Sequence, residues 1–271
     1  GPDYGPRAFP EQLASGGPVG IEGGLRMCDE LLVPGRYDQT DQRLVLYTRF
    51  QVEVNYEPGA SVEVLTERQL ATSWAGVAAQ VANPLDVPEF APPVRPSDDY
   101  VVDYLVITGE QFVANLQPLA DWKTSKGYRT EIKTVTSIVN RYPGRDVPEQ
   151  IRNCVKDYYA NRGLRYLLLA GDVSVVPCRR ARAIVGGEVG NIPCDLYFAD
   201  LQGSWDGNRN NIFGEAQVDS VDMYADIFVG RLPAENAPAF GLALAISELP
   251  RSDCEQCHCR AGAAGLAPGA A

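Results

Sequence analysis

The chain carries a single histidine, His258, among 271 residues. One imidazole cannot furnish a cluster of histidine metal ligands, and any Cys–His catalytic pair would have to be built on His258. Basic residues are also in deficit: 24 Lys and Arg face 35 Asp and Glu, for a net charge of −11. A nucleic-acid surface needs clustered cations to displace phosphate counterions, so that class of partner is disfavoured. No stretch reaches the roughly 18 consecutive apolar residues of a membrane-crossing helix. The first residues, Gly1-Pro2-Asp3, lack an initiating Met, a basic segment and an apolar segment. No signal peptide is read there, and residue 1 is expected to be an internal or processed start. Seven cysteines make an odd number, four scattered singly (Cys28, Cys154, Cys178, Cys194) and three crowded at Cys254, Cys257 and Cys259. That is not the spacing of a disulfide framework, although one pair among Cys28, Cys178 and Cys194 stays open.

What is present divides the chain by period. Residues 1–82 are expected to form a β-rich region. Leu31–Val33, Leu44–Thr48 and Phe50–Tyr56 alternate apolar and polar residues about the turn Asp38–Asp41, as antiparallel strands do. Residues 60–82 fit one helix. Residues 83–99 are dense in proline (Pro84, Pro88, Pro92, Pro93, Pro96) and predict a stiff, extended linker. From residue 100 the pattern changes. Tyr104–Thr108 is a short apolar run. Phe112, Leu116, Leu119 and Trp122 follow at helical spacing, with Gly127 placed to end that helix. Tyr128–Val135 alternates as a strand. Pro148 suits a first helical turn, Ile151, Val155 and Tyr158 continue its apolar face, and Gly163 stops it. Tyr166–Ala170 is apolar on both faces, as a central parallel strand requires, and Ile227–Val229 adds a fourth strand. This β-α-β-α-β order predicts right-handed crossovers and a doubly wound parallel α/β sheet over residues 100–237. Residues 238–271 form an atypical Ala/Gly/Cys tail.

Candidate chemistry lies in three places. Asp206, Asn208 and Asn210 alternate as the first oxygen ligands of a calcium loop do, and Asn211 can take a left-handed turn. Glu215 arrives two residues before the EF-hand glutamate, so the loop is not an EF-hand. Asp200 lies close in sequence, and Asp172 follows a parallel strand at its carboxyl end, where open α/β sheets place ligands. A solvated turn rich in Asn and Gly, or simple capping by Asp172, explains the same residues. Cys254-Glu-Gln-Cys257-His258 matches a haem-attachment pattern, against which stand adventitious zinc and a tail without a role. Finally, Cys178 precedes Arg179 and Arg180, whose charge lowers a thiol pKa, but no cysteine forms a credible dyad.

Four segments carry a resemblance: Tyr166-Leu-Leu-Leu-Ala-Gly-Asp172, Ile192-Pro-Cys-Asp-Leu-Tyr-Phe-Ala-Asp200, the loop Asp206–Glu215, and Asp226-Ile-Phe-Val-Gly-Arg-Leu-Pro233. In this order, with Asp121–Glu131 before them, they resemble the gingipain-type cysteine peptidases, family C25. The resemblance implies a caspase-like or Rossmann-like sheet, here incomplete, preceded by the end of a β-rich prodomain. It implies proteolysis of protein or peptide substrates and an extracellular or cell-surface location. It also implies structural calcium in this subdomain, with Asp172 mapped onto the family's acidic turn and Val175 standing where a second acid is expected. In the family the catalytic His-Gly and Cys lie well downstream of the arginine motif. The expectation is therefore a truncated, inactive chain. The alternative is a non-catalytic, calcium-stabilised extracellular α/β binding module.

Overall fold

The computed structural model describes residues 8–53, 63–96, 100–185, 187–216, 218–221 and 223–236. The β-rich beginning consists of short antiparallel pairs. Strands β1 (Ala8–Phe9), β4 (Gly35–Asp38) and β5 (Arg43–Leu46) form one sheet, and β2 (Ala14–Glu22) pairs with β3 (Leu25–Leu32). Leu31–Val33 thus falls at the end of β3 and Leu44–Leu46 within β5. Phe50–Glu53 form no strand, and the remainder of that predicted strand lies outside the described residues. The two short residues of β6 (Leu65–Thr66) lead into helix α1 (Glu67–Ala78).

The start of α1 is fixed by reciprocal capping. Thr66 Oγ1 accepts from the Gln69 N–H at 3.3 Å, and Gln69 Oε1 accepts from the Thr66 N–H at 3.0 Å. The predicted helix 60–82 is therefore shorter at both described ends. In the proline-dense segment, β7 (Val94–Arg95) pairs in parallel with β6. Val87 is buried with Leu25 and Val77, so this stretch packs locally as well as spanning distance.

The main sheet is the doubly wound parallel sheet that the period predicts. Strands β8 (Tyr104–Thr108), β9 (Thr130–Thr134), β10 (Tyr166–Ala170) and β13 (Phe228–Leu232) lie in the order β13–β10–β8–β9, all parallel. Helix α2 (Val113–Ser125) links β8 to β9. Two helices, α3 (Val135–Val139) and α4 (Val147–Arg162), return the chain to β10. Alternation along the strands sorts the core into two faces. Leu105, Ile107, Leu167 and Leu169 meet Ile151, Cys154, Val155 and Tyr158 of α4. Val106 and Ala170 meet Phe112 and Leu116 on the α2 side. Helices thus cover both faces, as right-handed crossovers in opposite directions demand.

Helix α4 begins and ends where its sequence says. Asp146 caps it by accepting the Glu149 N–H at 3.0 Å, Pro148 occupies the first turn, and Gly163 closes it at φ 73°. Helix α2 deviates from expectation at one point. Trp122 stands 43% exposed, whereas Leu116 is fully buried. Between β10 and β13 the chain makes an unpredicted hairpin, β11 (Arg179–Val185) with β12 (Glu188–Cys194), and then a long loop through residues 195–227.

Candidate functional site

Strand order reverses between β8 and β10, so a crevice is expected at their carboxyl ends. Here that position is occupied by the turn after β10 and by an arginine of β13. Gly171 takes φ 151°, and a Cβ there would meet Val175 at 2.8 Å. The Asp172 carbonyl accepts the N–H groups of Val175 and Val176, both at 2.9 Å, and its N–H donates to Ala234 O at 3.2 Å. Asp172 is therefore a turn-maker tying the end of β10 to the chain after β13, and its side chain makes no hydrogen bond to the 206–215 loop. Arg231 closes the turn from below: its Nη1 donates to Gly171 O at 2.9 Å and Val176 O at 2.8 Å. Its Nε and Nη2 reach the two oxygens of Asp195 at 2.6 and 2.8 Å.

The acidic and amide residues of the loop come together, but around arginines. Its neck is tied by Gly214 N–H to Trp205 O at 2.9 Å and Ser220 N–H to Ser204 O at 3.0 Å. Asn208 Oδ1 accepts the Asn210 N–H at 3.0 Å, and Asn210 Oδ1 accepts the Ile212 N–H at 2.8 Å. Arg209 and Asn211 adopt φ 60° and 64°, the left-handed turns the sequence suggested at Asn211. The Glu215 carboxylate accepts from Asn208 Nδ2 at 3.4 Å, from Asn210 Nδ2 at 2.6 Å and from Arg182 Nη1 at 2.8 Å. Asp206 turns to Arg145 Nη1 at 2.5 Å and also accepts the Asn211 N–H at 3.3 Å. Burial pushes the Asp206 carboxyl up, but the Arg145 guanidinium and these backbone N–H groups outweigh it and hold it below its usual range. Asp200 sits at the root of the loop, fully buried, with its carbonyl accepting Arg152 Nη2 at 2.6 Å.

This donor set does not fit a calcium ion. Calcium needs six to eight oxygens facing one point, several of them charged. Among the described residues no three His, Cys, Asp or Glu side chains converge as metal ligands. The carboxylates of Asp206 and Glu215 each already face a guanidinium.

Among the described residues no thiol stands beside an imidazole. Cys154 is buried in α4 beneath the sheet, and burial pushes its thiol up to about 12. It stays protonated at neutral pH and cannot attack a carbonyl. Burial also raises the Cys194 thiol. Cys28 is exposed, and no disulfide joins Cys28, Cys154, Cys178 or Cys194. The only imidazole, His258, and Cys254, Cys257 and Cys259 lie outside the described residues.

Sequence reasoning singled out acids and missed the arginines that organise them. Arg179 Cζ lies 3.8 Å from the Phe213 ring centre while its fork holds Asp146 at 2.7 and 2.8 Å. Arg179, Arg182 and Arg231 have no local signal beyond the Gly230-Arg231 dipeptide, because their partners are distant in sequence. Arg145 had one, its i,i+4 pairing with Glu149, but its bond to Asp206 spans 61 residues.

Residues 97–242, more than half of the chain, match the family model described as Peptidase family C25. The chain belongs to this family. Gingipain R2 of Porphyromonas gingivalis is 23% identical over 207 residues, 75% of this chain and 24% of the relative. Gingipain R1 of the same organism is 21% identical over 205 residues, 75% of this chain and 18% of the relative. The chain thus spans about a quarter or less of the curated relatives it matches. Among solved structures, the Arg-specific cysteine proteinase gingipain R (RgpB) aligns with a TM-score of 0.36 and 24% identity, covering 54% of this chain and 28% of that one. Dimeric latent PorU of P. gingivalis aligns with a TM-score of 0.40 and 16% identity, covering 54% and 15%.

Proposed function

We propose that this chain is a scaffold portion of a gingipain-like cysteine endopeptidase acting on protein or peptide substrates outside the cell or at its surface. In this reading, residues 100–237 supply the first half of the catalytic α/β domain and residues 1–82 the end of a prodomain. The described residues build the sheet and hold no thiol–imidazole pair, and in this reading the chain alone does not hydrolyse peptides.

One observation carries the inactivity: the described part of the α/β domain contains no imidazole at all, and its core thiol, Cys154, is buried and protonated. A cysteine peptidase needs a thiolate, and an imidazole to take and return its proton. Sheet order and membership of the peptidase family support the lineage. The test is a panel of fluorogenic peptides with Arg, Lys or apolar residues before the scissile bond, assayed with and without added thiol. No turnover above buffer is expected. Turnover that iodoacetamide abolishes would overturn the proposal.

A further inference from the structure

Two carboxylates of the 206–215 loop, Asp206 and Glu215, each meet a guanidinium. Both arginines are delivered by elements fixed elsewhere. Arg145 stands just before α4, held there by its own N–H and Nε to Glu149 Oε2, each at 2.8 Å. Its guanidinium lies 5.4 Å from the Phe213 ring centre and 2.5 Å from Asp206. Arg182 belongs to β11, and its backbone N–H donates to Phe213 O at 2.7 Å while its side chain holds Glu215 at 2.8 Å. Phe213 is buried and has both the Arg145 and the Arg179 guanidinium near its ring, at 5.4 and 3.8 Å from the ring centre. The third acid, Asp219, is satisfied by the backbone N–H groups of Gly207 at 2.7 Å and Glu215 at 2.8 Å.

Asp206 and Glu215 are thus compensated by charge within the chain, and Asp219 by hydrogen bonds. A divalent ion entering here would have to expel two arginines, of which Arg145 is also held by Glu149 and Arg182 is anchored through its backbone in β11. Removing a guanidinium would instead leave a covered carboxylate without its counter-charge, held only by neutral donors: the Asn211 N–H at Asp206, and the Asn208 and Asn210 amides at Glu215. The Asp206 side chain is only 1% exposed and the Glu215 side chain 12%. A covered charge that loses its partner is costly, whereas an exposed pair matters little.

We propose that Arg145 and Arg182 are the resident counter-ions of this loop, so that the loop closes without calcium and its order depends on these two side chains. The ordering of the β10–β13 connection is then a property of the chain, insensitive to the calcium level around it.

The experiment uses the full chain. Thermal unfolding is followed in EDTA and in millimolar calcium for the wild type, Arg145→Met and Arg182→Met, with limited proteolysis across residues 204–220. The wild type is expected to melt at the same temperature in both buffers. Each variant should melt lower, by about 3 °C or more for a chain of this size, and should gain cleavage sites in the loop. Trp205 packs under the loop and gives an independent readout, since terbium bound nearby would emit on tryptophan excitation. Wild-type melting that rises with calcium and falls with EDTA, or terbium emission that calcium competes away, would overturn the proposal. So would variants whose melting and cleavage match the wild type. Should Arg145→Met not fold, Arg145→Lys keeps the charge but loses the second donor, and an intermediate melting temperature is expected. A lysine variant indistinguishable from wild type in melting and cleavage would count against the guanidinium's role.

Discussion

Arg231 of β13 and Asp195, which follows β12, meet fork to fork, with Nε and Nη2 at 2.6 and 2.8 Å from the two carboxylate oxygens. The remaining nitrogen, Nη1, bridges the carbonyls of Gly171 and Val176. One side chain therefore joins β13, the turn after β10 and the end of the hairpin, at the carboxyl edge of the sheet. In the Gly230-Arg231 pair it is Arg231 that makes the bonds; a Cβ at Gly230 would meet only open space, so the fold around it does not require a glycine.

Arg231→Ala leaves Asp195 and two carbonyls without their donor, and the side chain it removes is 13% exposed. A loss of about 2–4 kcal/mol is expected, toward the lower end of the range for breaking a buried pair. Arg231→Lys should recover less than half of it, because an ammonium cannot span both carboxylate oxygens and both carbonyls. Urea denaturation of the three proteins measures this. A lysine variant as stable as wild type would show that charge alone suffices.

A second arginine pair joins the N-terminal region to the sheet. Asp103, wholly buried just before β8, accepts from Arg68 of α1 at 3.1 Å, from Arg165 before β10 at 2.9 Å and from the Arg129 N–H at 3.0 Å. Asp103→Ala strands the Arg165 guanidinium, which is 10% exposed, and should cost about 3–5 kcal/mol. Arg68 is 44% exposed, so Arg68→Ala should cost only about 1 kcal/mol or less. Equal losses from the two substitutions would mean that the α1 contact, rather than the buried carboxylate, dominates.

The parts of this fold that were legible are those with local causes. β8 and β10 are unbroken apolar runs because both faces are covered, and α4 announces itself through Asp146, Pro148 and Gly163. The hairpin β11–β12 was missed because Arg179, Arg180 and Arg182 interrupt its alternation. Its Gly186-Gly187 dipeptide was the available signal. Trp122 was misplaced because helical spacing alone does not say which of two apolar stripes faces the sheet. The loop's acids were picked out by their spacing, yet their partners lie 61 residues away for Asp206 and 33 for Glu215, beyond any periodicity. Spacing proposes ligands, and only the tertiary structure shows what already satisfies them.

The left-handed end of α4 gives a sharp local test. Gly163 adopts φ 73°, and a Cβ there would lie 3.3 Å from the Thr66 side chain, which caps α1. Gly163→Ala therefore combines backbone strain with pressure on a neighbouring helix cap and should cost about 1–2 kcal/mol. Asn, which tolerates this conformation better, should be milder than Ala in the same denaturation series. The reverse order would point to side-chain crowding rather than backbone strain.

Asp226 is the group whose titration should be visible in the stability of the whole chain. It is buried just before β13, with one carboxylate oxygen accepting the Leu201 N–H at 2.8 Å. Around it stand Glu63 from the N-terminal region, Asp200 from the loop, and Arg152 and Lys156 from α4. Burial raises its carboxyl most, the neighbouring acids Glu63 and Asp200 add to this, and the result is a pKa pushed up to about 7. In the unfolded chain an aspartate titrates near 4. Between about pH 4 and pH 7 the folded state therefore holds a proton that the unfolded state has lost, so stability falls as pH rises through this window. At about 1.4 kcal/mol per unit, the full effect is at most roughly 4 kcal/mol. The carboxyls of Asp146, Glu149, Asp157 and Asp206 are shifted downward, and their contribution is lost only at more acid pH. The two trends thus occupy different windows. Asp226→Asn keeps an acceptor for the Leu201 N–H and removes the charge. It should flatten the decline between about pH 4 and pH 7 and leave the variant more stable than wild type at pH 8. Urea unfolding at half-unit pH steps measures this, and a wild-type profile that is flat or rising across that range would mean that Asp226 is ionised in the folded chain.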